Sequence, residues 1–159
     1  MAGIVAMRGI EVKERDMRVM ARVVIGVDPA TLWARLLEWE AQPTWMVDAV
    51  AVRVVGEQRA GVGTTIAVKT KLFGVPALTD TLVVTAWDPP HRLEMERTGF
   101  VRGRGEWRVE PHADGGRFGW IEHVSMPIPV LGELALLLYR PLMRRLMRRS
   151  LANLARMLR

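Results

Sequence analysis

At 159 residues, half of them hydrophobic and a quarter charged, with no cysteine, the chain has the make-up of one globular domain and can form no disulfide, thiolate metal site or cysteine nucleophile. The net charge of +6 is concentrated, because residues 130–159 hold seven arginines against one glutamate while the 129 residues before them carry 16 basic and 16 acidic side chains. A basic excess confined to one amphipathic segment, without interleaved aromatics for base stacking, speaks against nucleic acid as a partner, and no run of 18 uncharged apolar residues is present to span a membrane.

Met1 to Ile10 has a short apolar run interrupted by Gly3, Arg8 and Gly9, unlike a signal-peptide core, so residues 1–15 read as an N-terminal extension of a cytoplasmic protein. From Met17 to Ile25 the odd positions are apolar while Arg18 and Arg22 sit between them, the period-two pattern of a half-buried strand. Asp28-Pro29-Ala30-Thr31 then predicts a helix start, with Asp28 capping and Pro29 at the first helical position, and Leu32, Trp33, Leu36 and Leu37 supply an apolar face. After Pro43, Thr44 to Val47 is expected to form a second short helix or turn.

From Val50 the pattern is strands. Val50, Val52 and Val54 alternate with Ala51, Arg53 and Val55; Gly61-Val62-Gly63 turns the chain; Ile66, Val68, Thr70 and Leu72 then form one face. Gly74 and Pro76 break the chain, and Leu78 to Trp87 resumes it with Leu82, Val84 and Ala86 sharing a face. Across the Asp88-Pro89-Pro90 turn the expected pairs are Ala86 with Leu93, Val84 with Met95 and Leu82 with Arg97. Val101 to Glu110 and the strand after His112-Ala113-Asp114-Gly115-Gly116 form another hairpin, in which Trp107 opposes Trp120 and Gly105 opposes Glu122, before Met126-Pro127-Ile128-Pro129 ends the last strand.

Residues 130–159 read as one long helix. From Leu142 onward the Leu and Met side chains fall on one half of the helical wheel and the arginines on the other. Before Pro141, Leu131, Leu134, Leu136, Leu137, Leu138 and Tyr139 point all round, and Pro141 lacks the N–H that would bond Leu137, so a kink or short break is expected there. Seven antiparallel strands with helices segregated from them make the class α+β, and the curved sheet has one large apolar surface to close around, the C-terminal helix.

From about Met17 to its end the chain resembles the START-like, or Bet v 1-like (SRPBCC), superfamily with the helix-grip fold, and within it bacterial polyketide cyclase/dehydrase and lipid-transport proteins. The resemblance rests on Asp28-Pro29 with Leu32-Trp33, on Pro43 and Trp45, on Gly61-Val62-Gly63-Thr64, on Asp88-Pro89-Pro90-His91-Arg92-Leu93, and on the terminal amphipathic helix. It implies a cavity between sheet and helix that holds a small hydrophobic ligand such as a lipid, polyketide or isoprenoid. Some members cyclise or dehydrate their ligand and others only carry it.

On the inward register the polar candidates are Thr70, Asp80, Arg97 and Glu122, with Ser150 and Asn153 on the helix. Asp80 shares its phase with Leu78 and Leu82, so its carboxylate must pair or shift its pKa upward, and Arg97 lies diagonally across the hairpin. Asp80 and Glu122 are thus candidate general acid and base, with Arg97 stabilising an enolate; the competing reading places them at strand ends facing water. The expected ligand-binding wall comprises Val68, Thr70, Leu82, Met95, Gly105, Trp107 and Trp120 from the sheet and Leu138, Leu142, Met143, Leu146 and Met147 from the helix. Gly103 and Gly105 either bend their strand or leave room for a ligand. His91, His112 and His123 are scattered, Ser125 and Ser150 lack a histidine partner, and Gly99 to Gly105 lies between strands, so neither metal, covalent hydrolysis nor a nucleotide cofactor is indicated. The arginine face is either solvated or a peripheral contact with an anionic membrane.

Overall fold

The computed structural model describes residues 4–7, 10–13, 17–72, 75–99, 102–125 and 131–159. The strands are β1 (Ile4–Met7), β2 (Ile10–Lys13), β3 (Met17–Ile25), β4 (Ala49–Val54), β5 (Thr65–Leu72), β6 (Val75–Asp88), β7 (Arg92–Thr98), β8 (Arg102–His112) and β9 (Gly115–Ser125). Helix α1 (Pro29–Leu36) and a 3₁₀ segment (Trp39–Thr44) follow β3, and α2 (Leu131–Met157) ends the chain. The expected breaks at Gly74 and at Met126 to Pro129 lie outside the described residues, whereas Pro76, also expected to break the chain, lies within β6 opposite Lys71, where the β5–β6 register shifts.

Strands β3 to β9 form one antiparallel sheet in the order β3-β9-β8-β7-β6-β5-β4, while β1 and β2 pair with each other within the N-terminal extension. This is the expected seven-stranded α+β arrangement, with one addition. Successive strands from β4 to β9 are neighbours, but β3 pairs with β9 at the opposite edge from β4, so α1 and the 3₁₀ segment carry the chain across the sheet. Alternation decides which side is buried. Met17, Val19, Ala21 and Ile25 of β3 are buried and Arg18, Met20 and Arg22 are exposed, as period two requires.

The local signals act as their chemistry dictates. Asp28 caps α1, its Oδ1 accepting from the Thr31 amide at 3.0 Å and its Oδ2 from the Thr31 hydroxyl at 2.6 Å, with Pro29 in the first turn. The second short helix lies earlier than expected, at Trp39–Thr44 instead of Thr44 to Val47. Buried Gln42 holds it by donating from Nε2 to the Leu36 carbonyl at 3.1 Å, and the Trp39 indole donates to the Arg59 carbonyl at 3.0 Å.

The registers Val84 with Met95, Leu82 with Arg97, Trp107 with Trp120 and Gly105 with Glu122 are as read from the turns. Ala86, however, opposes Glu94, because a bulge between Val84 and Ala86 switches the phase of β6 and makes Trp87 the partner of Leu93. Trp87 thereby meets Trp33 edge-on at 5.5 Å in the core.

Helix α2 continues through Pro141 instead of breaking there, and it packs along β3. Its C-terminal half buries Met143, Met147, Leu151 and Leu154, with Arg144, Arg145, Arg148 and Arg149 outward. Among the described residues no helix is long and apolar enough to cross a membrane. Two polar ties fix this half to the segment after the 3₁₀ turn. The fully buried Ser150 hydroxyl accepts from the Val47 amide at 3.0 Å and donates to the Leu146 carbonyl at 2.9 Å, and the Asn153 side chain donates to the Trp45 carbonyl at 3.3 Å. Ser150 and Asn153 are thus fasteners of the fold, although their apolar-face position suggested cavity groups. Replacing Ser150 with alanine leaves the Val47 N–H without its acceptor, and chemical denaturation is expected to show a loss of about 1–3 kcal/mol; an unchanged midpoint would mean the tie contributes nothing.

Candidate functional site

The concave face of the sheet is floored by aromatics. Trp39 stacks on Trp107 at 6.3 Å, Trp107 meets Phe118 edge-on at 5.7 Å, and Trp45 meets Trp120 edge-on at 6.2 Å and Phe118 at 6.4 Å. Such contacts contribute about 0.5–1.5 kcal/mol each beyond their burial. Trp45, from the turn after the 3₁₀ segment, wedges into this cluster and occupies much of the space under the sheet.

What remains is a cavity of about 40 Å³, lined by Gln42, Met46, Asp48, Ala49, Ile66, Val68, Thr70, Leu82, Met95, Arg97, Trp107, Trp120 and Glu122. That volume takes roughly three waters. The expectation was a deep cavity between sheet and C-terminal helix; this one is small, and no described residue of α2 lines it. Trp107 presents a buried indole N–H that has no hydrogen-bond partner among the described residues.

One end of the cavity is polar, and the middle strand of the sheet explains why. Positions 103 and 105 of β8 face inward and are glycines, so side chains from β7 and β9 can lie across that strand. Glu122 of β9 does so. Its Oε1 would stand 3.1 Å from a Cβ placed on Gly105, and it accepts from the Trp120 indole at 2.8 Å. Arg97 reaches in from β7, with its Nη1 3.5 Å from Asp80 Oδ2. Asp80 in turn sits against Gly99, whose φ is +156° and where any Cβ would stand 2.5 Å from Asp80 Oδ1.

Burial sets the electrostatics of this end. Asp80 and Glu122 are 4% and 5% exposed, and desolvation pushes both carboxyls above their ordinary values, with Arg97 opposing the shift. Asp48 is raised for the same reason, countered by Arg97 and Lys71. The Tyr139 phenol of α2 is pushed up first by burial and then by the Asp48 carboxylate. Three carboxyls thus share a single guanidinium in a poorly solvated pocket.

Of the residues expected to form the site, Val68, Thr70, Leu82, Met95, Arg97, Trp107, Trp120 and Glu122 line the cavity together. Asp80 joins them through Arg97. Gly105 lies under Glu122, so its room is taken by that carboxylate. Among the described residues the helix positions are not on the cavity wall: Met143 and Met147 are buried in the core, Leu142 and Leu146 are half-buried, and Leu138 is 67% exposed. Asp48, Gln42, Met46, Ala49, Ile66 and Tyr139 were not anticipated. Ile66 shares the alternation of Val68 and Thr70 and could have been found that way, whereas Asp48 lies in an irregular turn with no periodic signal.

The sequence profile described as polyketide cyclase / dehydrase and lipid transport matches residues 16–159. No curated protein matches the sequence. Among solved structures, TTHA0849 from Thermus thermophilus superposes with a TM-score of 0.70 at 19% identity, covering 89% of this chain and 95% of that one. The di-domain ARO/CYC StfQ of the steffimycin biosynthetic pathway gives 0.66 at 18% identity, covering 87% of this chain and 48% of its own. Ginseng major latex-like protein 151 from Panax ginseng gives 0.64 at 10% identity, covering 91% and 98%. These likenesses are of fold.

The raised acids make stability depend on pH in a definite sense. An acid whose folded value lies above its unfolded one stabilises fully below the unfolded value and loses that contribution as pH rises through the folded one. Glu122→Gln keeps an acceptor for Trp120 and removes the titration. Urea unfolding is expected to find the variant close to wild type below the ordinary value of 4.5 and increasingly the more stable of the two as pH rises; a difference constant with pH would show that Glu122 does not titrate from a raised value.

Proposed function

The chain belongs to the polyketide cyclase / dehydrase and lipid transport family, and from that premise we propose that it binds and carries a small hydrophobic ligand, such as a lipid, polyketide-like or isoprenoid compound, in the cytoplasm. The observation that carries this reading is the cavity between aromatic floor and polar end, lined by Val68, Leu82, Met95, Trp107 and Trp120. Flat apolar walls with a few convergent polar groups suit a largely apolar molecule bearing one or two oxygens.

The closed volume of about 40 Å³ is too small for such a molecule, so uptake has to move a wall. The C-terminal half of α2 is held by Ser150 and Asn153. The half before Pro141 carries exposed Leu134, Leu137 and Leu138, and the proline removes one helical hydrogen bond between the halves. The N-terminal arm of α2 is therefore the less firmly held part of the helix.

Native mass spectrometry and tryptophan fluorescence with oleate and an anthraquinone test the carrier reading. Wild type is expected to take up one of them in a one-to-one complex. Ala49→Leu puts three further carbons into a space that holds about three waters, and is expected to lower affinity at least tenfold in a protein that still melts cooperatively. Uptake of neither probe by wild type, or undiminished uptake by the variant, would overturn it.

A second reading, cyclisation or dehydration of the bound ligand, is favoured by one observation. Asp80 and Glu122 are buried beside Arg97 instead of facing water. A carboxyl with a raised pKa is a better-matched base near neutrality than a solvated one. One ionised carboxylate would take the proton from a carbon alpha to a ketone, the C–H pair would become the enolate, and its oxygen would face the Arg97 guanidinium; return of the proton closes the cycle. Exchange of the alpha hydrogens of 2-tetralone in D₂O, followed by NMR, is expected to run faster with wild type than in buffer and to fall to the buffer rate in both Asp80→Asn and Glu122→Gln. A wild-type rate equal to buffer would leave the carrier reading alone.

A further inference from the structure

We propose that the outward face of α2 docks on an anionic phospholipid bilayer, with the leucine tip entering the acyl layer and the arginine row lying at the phosphates. Leu134, Leu137 and Leu138 are 55%, 69% and 67% exposed, an apolar cluster that no described element covers. At about 100° per residue these three share one side of the helix with Pro141 and with Arg144, Arg145, Arg148 and Arg149, all of them exposed. Leu138 and Arg148 lie about 15 Å apart along that line, at 1.5 Å per residue. A helix lying flat on a surface would therefore present both groups to it at once.

Charge complementarity selects the occupant. No acidic side chain follows Glu133, so the whole net charge of +6 is carried by residues 130–159, this helix and the two residues after it included. Beside it, a groove of about 310 Å³ between the Pro43–Val47 segment and α2 brings Lys71, Arg149 and Arg156 together with no acid among its described lining residues. It can take a headgroup phosphate. Nucleic acid would satisfy the arginines but offers no apolar layer to the leucines, whereas an anionic bilayer offers both at the observed spacing. Docking does not depend on which ligand the cavity takes or on whether turnover occurs there.

Co-sedimentation of the full chain with vesicles tests this. Phosphatidylcholine vesicles are compared with an equimolar mixture of phosphatidylcholine and phosphatidylglycerol, at low and physiological salt. Wild type is expected to bind the mixed vesicles and not the zwitterionic ones. Changing Arg144, Arg145, Arg148 and Arg149 to glutamine should weaken binding by about fivefold per arginine removed, and should remove its salt dependence. Changing Leu134, Leu137 and Leu138 to serine, all at exposed positions, should leave a low-salt encounter but abolish binding at physiological salt. Circular dichroism of each variant checks that it is folded. Failure of wild type to bind the mixed vesicles overturns the proposal. So does a leucine variant that binds like wild type while duplex DNA displaces both from the vesicles, which would make the arginine row a general polyanion surface.

Discussion

The fold depends on a single closure. A seven-stranded sheet curved to one side leaves a concave apolar face, which α1 and the 3₁₀ segment cover through Leu32, Trp33, Leu36 and Trp39 together with the C-terminal half of α2 through Met143, Met147, Leu151 and Leu154. Hydrophobic burial supplies the driving force but little direction. Direction comes from Ser150 and Asn153, which hydrogen-bond the backbone at Val47 and Trp45 and so set where the helix lies along its length. Those same bonds position the turn that delivers Trp45 into the aromatic floor and Asp48 to the polar end. Helix placement and site geometry are one constraint.

The two buried glutamates show how environment assigns a role to a residue. Glu106 and Glu122 are each 5% exposed and face each other's strand from opposite sides of the sheet. On the outer face Glu106 accepts from Arg92 and from Arg108, and although desolvation is its largest influence, the combined hydrogen bonds and charges hold its carboxyl below the ordinary value. On the inner face Glu122 has a neutral indole donor and a more distant guanidinium, and burial prevails. Glu106 is a structural anion that ties its own strand to β7. Glu122 can exchange its proton without breaking the sheet, which is a requirement for either an acid–base group or a polar anchor for a ligand oxygen.

Much of this was legible in the chain. Period-two alternation identified the strands of the large sheet, and the turn at Asp114-Gly115 fixed the pairing of Gly105 with Glu122, while the expected pairing of Leu82 with Arg97 is reached only beyond the bulge in β6. Where regularity fails, the reading fails with it. The bulge at Val84 to Ala86 inserts one residue and turns Trp87 inward, and nothing in the residues on either side announces it. Asp48 and Trp45 come from an aperiodic segment whose position is decided by long-range bonds to α2. The helix residues assigned to the cavity wall were placed by amphipathicity, which tells buried from exposed but not core from cavity.

Trp45 packs against Trp120 and Phe118, so the room left under the sheet lies toward Arg97 and Glu122. Helix α2 passes from a buried half fastened by Ser150 and Asn153 to one that leaves three leucines exposed. Exposing Leu134, Leu137 and Leu138 costs the free energy that burying them would supply, about 1.5–3 kcal/mol for each large apolar side chain. An apolar surface that covers them recovers that cost.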